Sequence, residues 1–149
     1  MTTIDFFTNA PEPLKLAARI IAKAYRQHGS VRVLTPDAST TSALDRLLWL
    51  EPPHAFLPHC RMDSVIANET PIWIDEALSH AGPASVLVNL HPDPPPFFSR
   101  FERLAEVVGA DDAQLAAGRA RYRFYRERGY ELKQHDWSQR VSGNSVNRP

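Results

Sequence analysis

The sequence predicts a single α/β domain in which helices pack on a parallel sheet. Three observations lead to that reading. The chain opens with a β-prone run, a helical pattern, a β-branched run and a second helical pattern, and parallel strands require crossovers of this kind. Its 149 residues, 43% of them apolar, suffice for one core of good size and are too few for two ordinary domains. Finally, the six glycines at 29, 82, 109, 118, 129 and 143 are spread so widely that the closest pair lies nine positions apart. Both GxGxxG and GxxxxGKS/T need glycines within about five positions, so the domain carries no nucleotide-binding loop of either type.

Residues 4–8 form a short β-prone run with two phenylalanines, and Asn9 is a candidate cap ahead of Pro11 and Pro13. A helix follows over residues 14–28, in which Leu14, Ala17, Ala18, Ile21 and Tyr25 recur at three and four and share a face, while Lys15, Arg19, Lys23 and Arg26 lie elsewhere. Gly29 stops it. Residues 31–34 read as a buried strand ended by Pro36, and Ser39, Thr40 or Thr41 caps a second helix running to about Trp49. Glu51-Pro52-Pro53 breaks that helix, and Phe56, Leu57 and Pro58 make an apolar connection. Residues 72–74 and 85–89 read as strands. The proline-rich loop at 92–96 is rigid and extended, and leads to Phe97, Phe98 and Phe101. Residues 103–108 are a last core strand or the end of a short helix, since periodicity leaves both open. Asp111 and Asp112 mark a helix start, with the helix running to Arg128 before Gly129. Residues 130–135 make a short edge strand. The domain therefore spans 1–137, and the polar tail SQRVSGNSVNRP at 138–149 is expected to be disordered.

Seventeen Lys and Arg balance seventeen Asp and Glu, so no overall field draws the chain to nucleic acid or anionic lipid. The balance is a cancellation. Residues 1–118 hold nine basic and fourteen acidic side chains, a net of −5, and residues 119–149 hold eight and three, a net of +5. A single cysteine, Cys60, excludes an internal disulfide, a CxxC centre and a four-cysteine zinc site, and fits the reducing cytosol. Residues 1–20 lack a basic start followed by an apolar run, and no stretch approaches the roughly 18 apolar residues of a membrane span. A soluble, unprocessed cytoplasmic protein is expected.

Several groups bear chemistry and also have an ordinary structural explanation. His54, His59 and Cys60 are metal-type ligands, but Pro58 beside His59 points to a turn. His91-Pro92-Asp93 follows a strand, where α/β enzymes place functional groups, but no Ser or Cys elbow accompanies it. Asp75-Glu76 has the pairing that holds magnesium, or else begins a helix or loop. Trp49, Phe56 and Leu57 are either core or an apolar docking patch.

The strongest feature is RARYRFYRER at residues 119–128, with five arginines, one glutamate and three aromatics. At about 100° per residue, Arg119, Tyr122 and Arg126 fall within about 60° of one another with Leu115 on the same stripe. Guanidinium groups flanking an aromatic ring suit an acidic peptide, a carboxylate or a phosphate, because arginine forks grip oxyanions while the ring covers an apolar side chain. The alternative is a solvated basic face complementing the helix dipole. Phe124 and Tyr125 point elsewhere, and at least one of them should be core.

In the ordered set IDFFTN, ALDRLLW, the P-P-x-x-F-x-P-H segment from Pro52 to His59, and RARYRFYRERGYEL, the chain resembles the chi subunit family of bacterial DNA polymerase III, over almost all of residues 4–137. The resemblance implies a Rossmann-like, mostly parallel sheet with helices on both faces, and an accessory protein with no catalytic residues and no cofactor. It implies two partners: the clamp-loader subunit psi, and the acidic, Phe-terminated C-terminal tail of single-stranded DNA-binding protein. Arg119 and Tyr122 match the family's tail-pocket arginine and tyrosine, with Arg123 and Arg126 adding charge. Trp49 and Phe56 match aromatic docking positions, Phe56 being the better candidate for psi, with Leu57 beside it. A family lysine one turn before the pocket arginine stands here as Leu115. A monomer or a 1:1 heterodimer with psi follows, with nucleic acid contacted only indirectly. Two readings of other classes stand beside this one. The same helix would bind single-stranded nucleic acid directly, with bases stacked on Tyr122, or a small α/β enzyme would use His91, Asp93, Asp75 and Cys60.

Overall fold

The computed structural model describes residues 1–50, 57–64, 67, 70–79 and 81–138. Among the described residues seven strands and three helices succeed one another as β1 (Thr3–Ala10), α1 (Pro13–His28), β2 (Val31–Leu34), α2 (Ala38–Leu50), β3 (His59–Cys60), β4 (Ile72–Asp75), β5 (Val86–Asn89), β6 (Arg103–Gly109), α3 (Asp112–Glu127) and β7 (Leu132–Asp136), with a 3-10 turn at Phe98–Arg100. The strands form one sheet in the order β3-β4-β2-β5-β6-β1-β7. Every pairing is parallel. This is the α/β, Rossmann-like architecture that the sequence predicts, and residues 103–109 are its fifth strand in sheet order.

Successive strand residues face opposite sides, so the sheet divides the core in two. Val31, Val33, Ile72, Ile74, Val86, Val88, Ala105 and Val107 pack against Leu16, Ala17, Ile21, Leu44 and Leu48 of α1 and α2. On the other face Ile4, Phe6, Leu34, Trp73, Leu87 and Leu104 meet Tyr125 of α3 and the Phe97, Phe98 and Phe101 that follow the proline-rich loop. Helices thus cover both faces, as a buried parallel sheet requires.

Four local expectations need correction. Asn9 does not cap α1; it lies within β1 at φ 58°, where the register with β6 shifts between Phe7 and Ala10. Pro13 opens α1 instead, since its missing N–H and fixed φ suit a first helical position. The cap of α2 is Asp37, whose carboxylate accepts from Thr40 N at 2.7 Å, and the serine and threonines proposed for that role lie inside the helix. In α1 the buried face comprises Leu16, Ala17, Ala18, Ile21 and Ala24, with Leu14 and Tyr25 at its margin. Strand β3 was not expected; two residues long, it pairs with Ile72 and Trp73. The expected disordered tail falls on residues 139–149, outside the described residues.

Candidate functional site

Helix α3 starts where Asp111 accepts a hydrogen bond from Gln114 N at 2.8 Å, while the Gln114 side chain accepts from Gly109 N at 2.7 Å. The helix is thereby clipped to the end of β6. Its inward residues are Gly118, Arg121 and Tyr125. A Cβ on Gly118 would stand 2.9 Å from Val108 Cγ1, so the missing side chain is what allows the helix to lie this close to the sheet.

Arg121 is the one arginine of the run that turns inward. Its Nε donates to Glu106 Oε1 at 2.8 Å and Nη1 donates to Pro92 O at 2.9 Å. Glu106 is 0% exposed in the middle of β6. It also accepts from Asn89 Nδ2 at 2.9 and 3.1 Å and from the Tyr125 hydroxyl. Burial pushes the Glu106 carboxyl above its ordinary range, and the Arg121 charge and these hydrogen bonds oppose that push. Burial beside the carboxylate likewise pushes the Tyr125 phenol far upward, so it stays a donor.

With that side anchored, Arg119, Arg123 and Arg126 are exposed and Tyr122 is half-buried. Tyr122 rests edge-on against Phe6 of β1 at 5.3 Å between centroids, and the Arg126 guanidinium lies 5.9 Å from its ring centre. Leu115, partly buried, belongs to the same margin. The result is one strip on which cations border an aromatic ring, set between α3 and the sheet edge. On the opposite flank, Phe124 is half-buried against Phe98 at 6.2 Å and carries Arg128 at 3.5 Å above it.

The second expected site falls only partly within the described residues. Trp49 is 55% exposed at the end of α2. Its ring lies 4.8 Å from that of His59, which is fixed by Leu57 O at Nδ1 and by Asp45 Oδ1 at 2.9 Å from Nε2. Leu57 does not line a surface patch. It is 2% exposed and packed in the α1–α2 core. Phe56 and His54 lie outside the described residues.

The family model for the DNA polymerase III chi subunit, HolC, matches residues 1–133. A protein from Pseudomonas aeruginosa named DNA polymerase III subunit chi is 34% identical over 139 residues, covering 91% of this chain and 96% of that one. The chain belongs to the DNA polymerase III chi subunit family. Two further proteins of that name are similar to it: one from Haemophilus influenzae at 26% identity, covering 79% of this chain and 83% of its own, and one from Escherichia coli at 24%, covering 91% of each. Membership of the chi family assigns the chain to DNA replication.

Within this chi fold, the groups suggestive of enzyme or metal chemistry have other partners. Asp75 is paired with the fully buried Arg32 at 3.0 Å and accepts from Met62 N at 2.8 Å and Ala77 N at 3.1 Å. Glu76 is gripped by both terminal nitrogens of Arg61 at 3.0 and 3.1 Å and by the Thr41 hydroxyl at 3.0 Å. That grip holds its carboxyl down at about 2. His91 Nδ1 accepts from Asp93 N at 3.1 Å, a turn contact. Cys60 is half-buried in β3. Among the described residues no three His, Cys, Asp or Glu side chains gather as a metal site, and no helix is long and apolar enough to cross a membrane. The sequence reading missed Arg121, Glu106 and Asn89; the only available signal was an acidic residue interrupting the apolar run LAEVV.

Proposed function

We propose that this chi-family chain is a non-catalytic accessory subunit of the replicative polymerase, joining the clamp loader, through psi, to the acidic C-terminal tail of single-stranded DNA-binding protein. The observation that carries the reading is the exposed strip of Arg119, Tyr122 and Arg126, with Arg123 beside it, mounted on an anchored helix. Its chemistry matches a short acidic peptide ending in an aromatic residue: guanidinium groups take the carboxylates, and the ring margin from Tyr122 to Leu115 covers apolar side chain. Here Leu115 supplies apolar surface where the family carries a lysine, so the arginines bear more of the charge recognition. Trp49 and Phe56 are assigned to psi, and the chain works as a monomer or as a 1:1 pair with psi, reaching nucleic acid only through its partners in the cytoplasm.

Titration calorimetry with a synthetic tail peptide tests the assignment. Charge-assisted hydrogen bonds contribute about 1.5–3 kcal/mol each, and 1.4 kcal/mol corresponds to tenfold. Arg119→Ala therefore weakens binding about tenfold or more. Unaltered affinity would count against the docking strip, and tight, steeply salt-dependent binding of a fluorescent oligonucleotide by the chain alone would favour direct single-strand recognition instead.

A further inference from the structure

The run RARYRFYRER does not by itself specify which way α3 faces. Five arginines and three aromatics are spread around the cylinder, and at about 100° per residue several rotations bury a comparable amount of ring and alkyl surface. A turn of about 70° would carry Tyr122 and Leu115 inward and lift Arg121 towards solvent. In that rotation the Arg119, Tyr122 and Arg126 strip is lost, since its ring is in the core.

The sheet resolves this degeneracy with one directional contact. Glu106 is fully buried on the α3 face of β6, between Leu104 and Val108. It is tied from beneath by Asn89 of β5, and its remaining acceptor positions take Arg121 Nε and the Tyr125 hydroxyl, four residues apart on the same helix. Arg121 reaches further, to Pro92 O in the loop after β5. Glu106, Asn89, Arg121 and Tyr125 are all buried, so a helix rotated away would leave the Glu106 carboxylate held by Asn89 alone, without its counter-charge and without the Tyr125 hydroxyl. Losing a buried charge's partner is among the costlier single changes in a protein interior. A single buried polar contact that selects one register among near-equals is the best-attested use of buried ionic groups.

We infer that Glu106 is the positioning residue of the peptide-docking strip: by selecting Arg121 from five candidate arginines it sets the rotation of α3, and with it the placement of Arg119, Tyr122 and Arg126. This rests on the docking reading given above. It adds that affinity for an acidic peptide depends on a carboxylate that never meets the peptide and that, as a like charge, would only repel it.

The test is a double-mutant cycle on the full chain, titrated calorimetrically with an acidic, Phe-ended peptide. Glu106→Gln is expected to weaken binding at least about threefold with stoichiometry still near one. Combined with Arg119→Ala, it should give less than the product of the two separate losses, because the coupling of residues acting as one unit is non-additive. A merely structural role has a different signature: the titratable fraction falls, while the Kd of the folded fraction and the factor lost on Arg119→Ala stay as in the unaltered chain. Where Glu106→Gln does not fold, Tyr125→Phe keeps the ion pair and the ring packing and removes one hydrogen bond to Glu106. It should weaken binding about twofold or more, again non-additively with Arg119→Ala. Full affinity in the folded variants, or losses that simply multiply, overturns the proposal while the docking reading stands. If Arg119→Ala itself has no effect, the docking reading falls, and the positioning role with it.

Discussion

Asp75 and Glu76 are neighbours at the end of β4, yet their carboxylates meet different physics. Asp75 faces the fully buried Arg32, and Asp75→Asn would remove the carboxylate charge paired with that guanidinium while its bonds to backbone carbonyls remain. Breaking one side of a buried pair costs about 3–5 kcal/mol, and urea unfolding at neutral pH should show a loss of that order. Glu76 pairs with Arg61, whose side chain is 42% exposed, so Glu76→Gln should cost no more than about 1 kcal/mol at pH 7 despite the well-aligned bidentate grip. Its signature lies in acid. With a carboxyl held at about 2 in the fold against about 4.3 in the unfolded chain, the Glu76 contribution is complete above the latter and fades as pH falls towards the former. Stability profiles of the parent and Glu76→Gln chains should therefore converge between those two values; curves that stay parallel there would refute the assignment.

For α3 the governing feature is how closely it approaches β6. Alanine favours a helix over glycine by about 1 kcal/mol, but a methyl at 118 would stand 2.9 and 3.0 Å from the two Val108 γ-carbons, on a β-branched side chain with little rotamer freedom. Overpacking costs about 1–3 kcal/mol, so Gly118→Ala should lower stability by up to about 2 kcal/mol, and Val108→Ala should recover most of the helix gain. Chemical denaturation of the two single variants and of the double variant checks this. The same element marks the limit of sequence reading. The helix start at Asp111 and Asp112, the stop near Gly129 and the common stripe of Arg119, Tyr122 and Arg126 follow from charge and spacing, although the direction in which that stripe faces needs the sheet. The inward turn of Arg121 does not, because its partner Glu106 lies fifteen positions away in a strand and only the folded sheet brings them together. Similarly, β1, β2, β4 and β5 announce themselves through β-branched and aromatic runs. Strand β3 is too short for any periodicity, and the three hydroxyl residues after Asp37 are equally good caps by residue type. Leu57, in a proline-rich connection, offered no pattern to tell core from surface.

Across the whole molecule, neutrality conceals a division between an acidic body and a basic C-terminal segment. Screening acts over about 10 Å at 0.1 M salt, so raising salt to about 0.5 M should weaken binding of the proposed peptide several-fold, whereas with a body of −5 the isolated chain should fail to hold a long phosphate backbone at either salt. Calorimetry at both concentrations, with an oligonucleotide control, measures this.

The strand order has a consequence of a different kind. Strand β1 precedes both of the strands it pairs with among the described residues, β6 and β7, and Trp137 N donates to Thr8 O at 2.8 Å. At about 5–20 residues per second, the stretch from Ala10 to Arg103 takes on the order of 5–20 s to synthesise. Throughout that interval TIDFFTNA, with Phe6 and Phe7, has neither neighbour. The nascent chain therefore carries a sticky strand without its sheet neighbours until β6 has been made, and a product cut short before residue 103 lacks both of them.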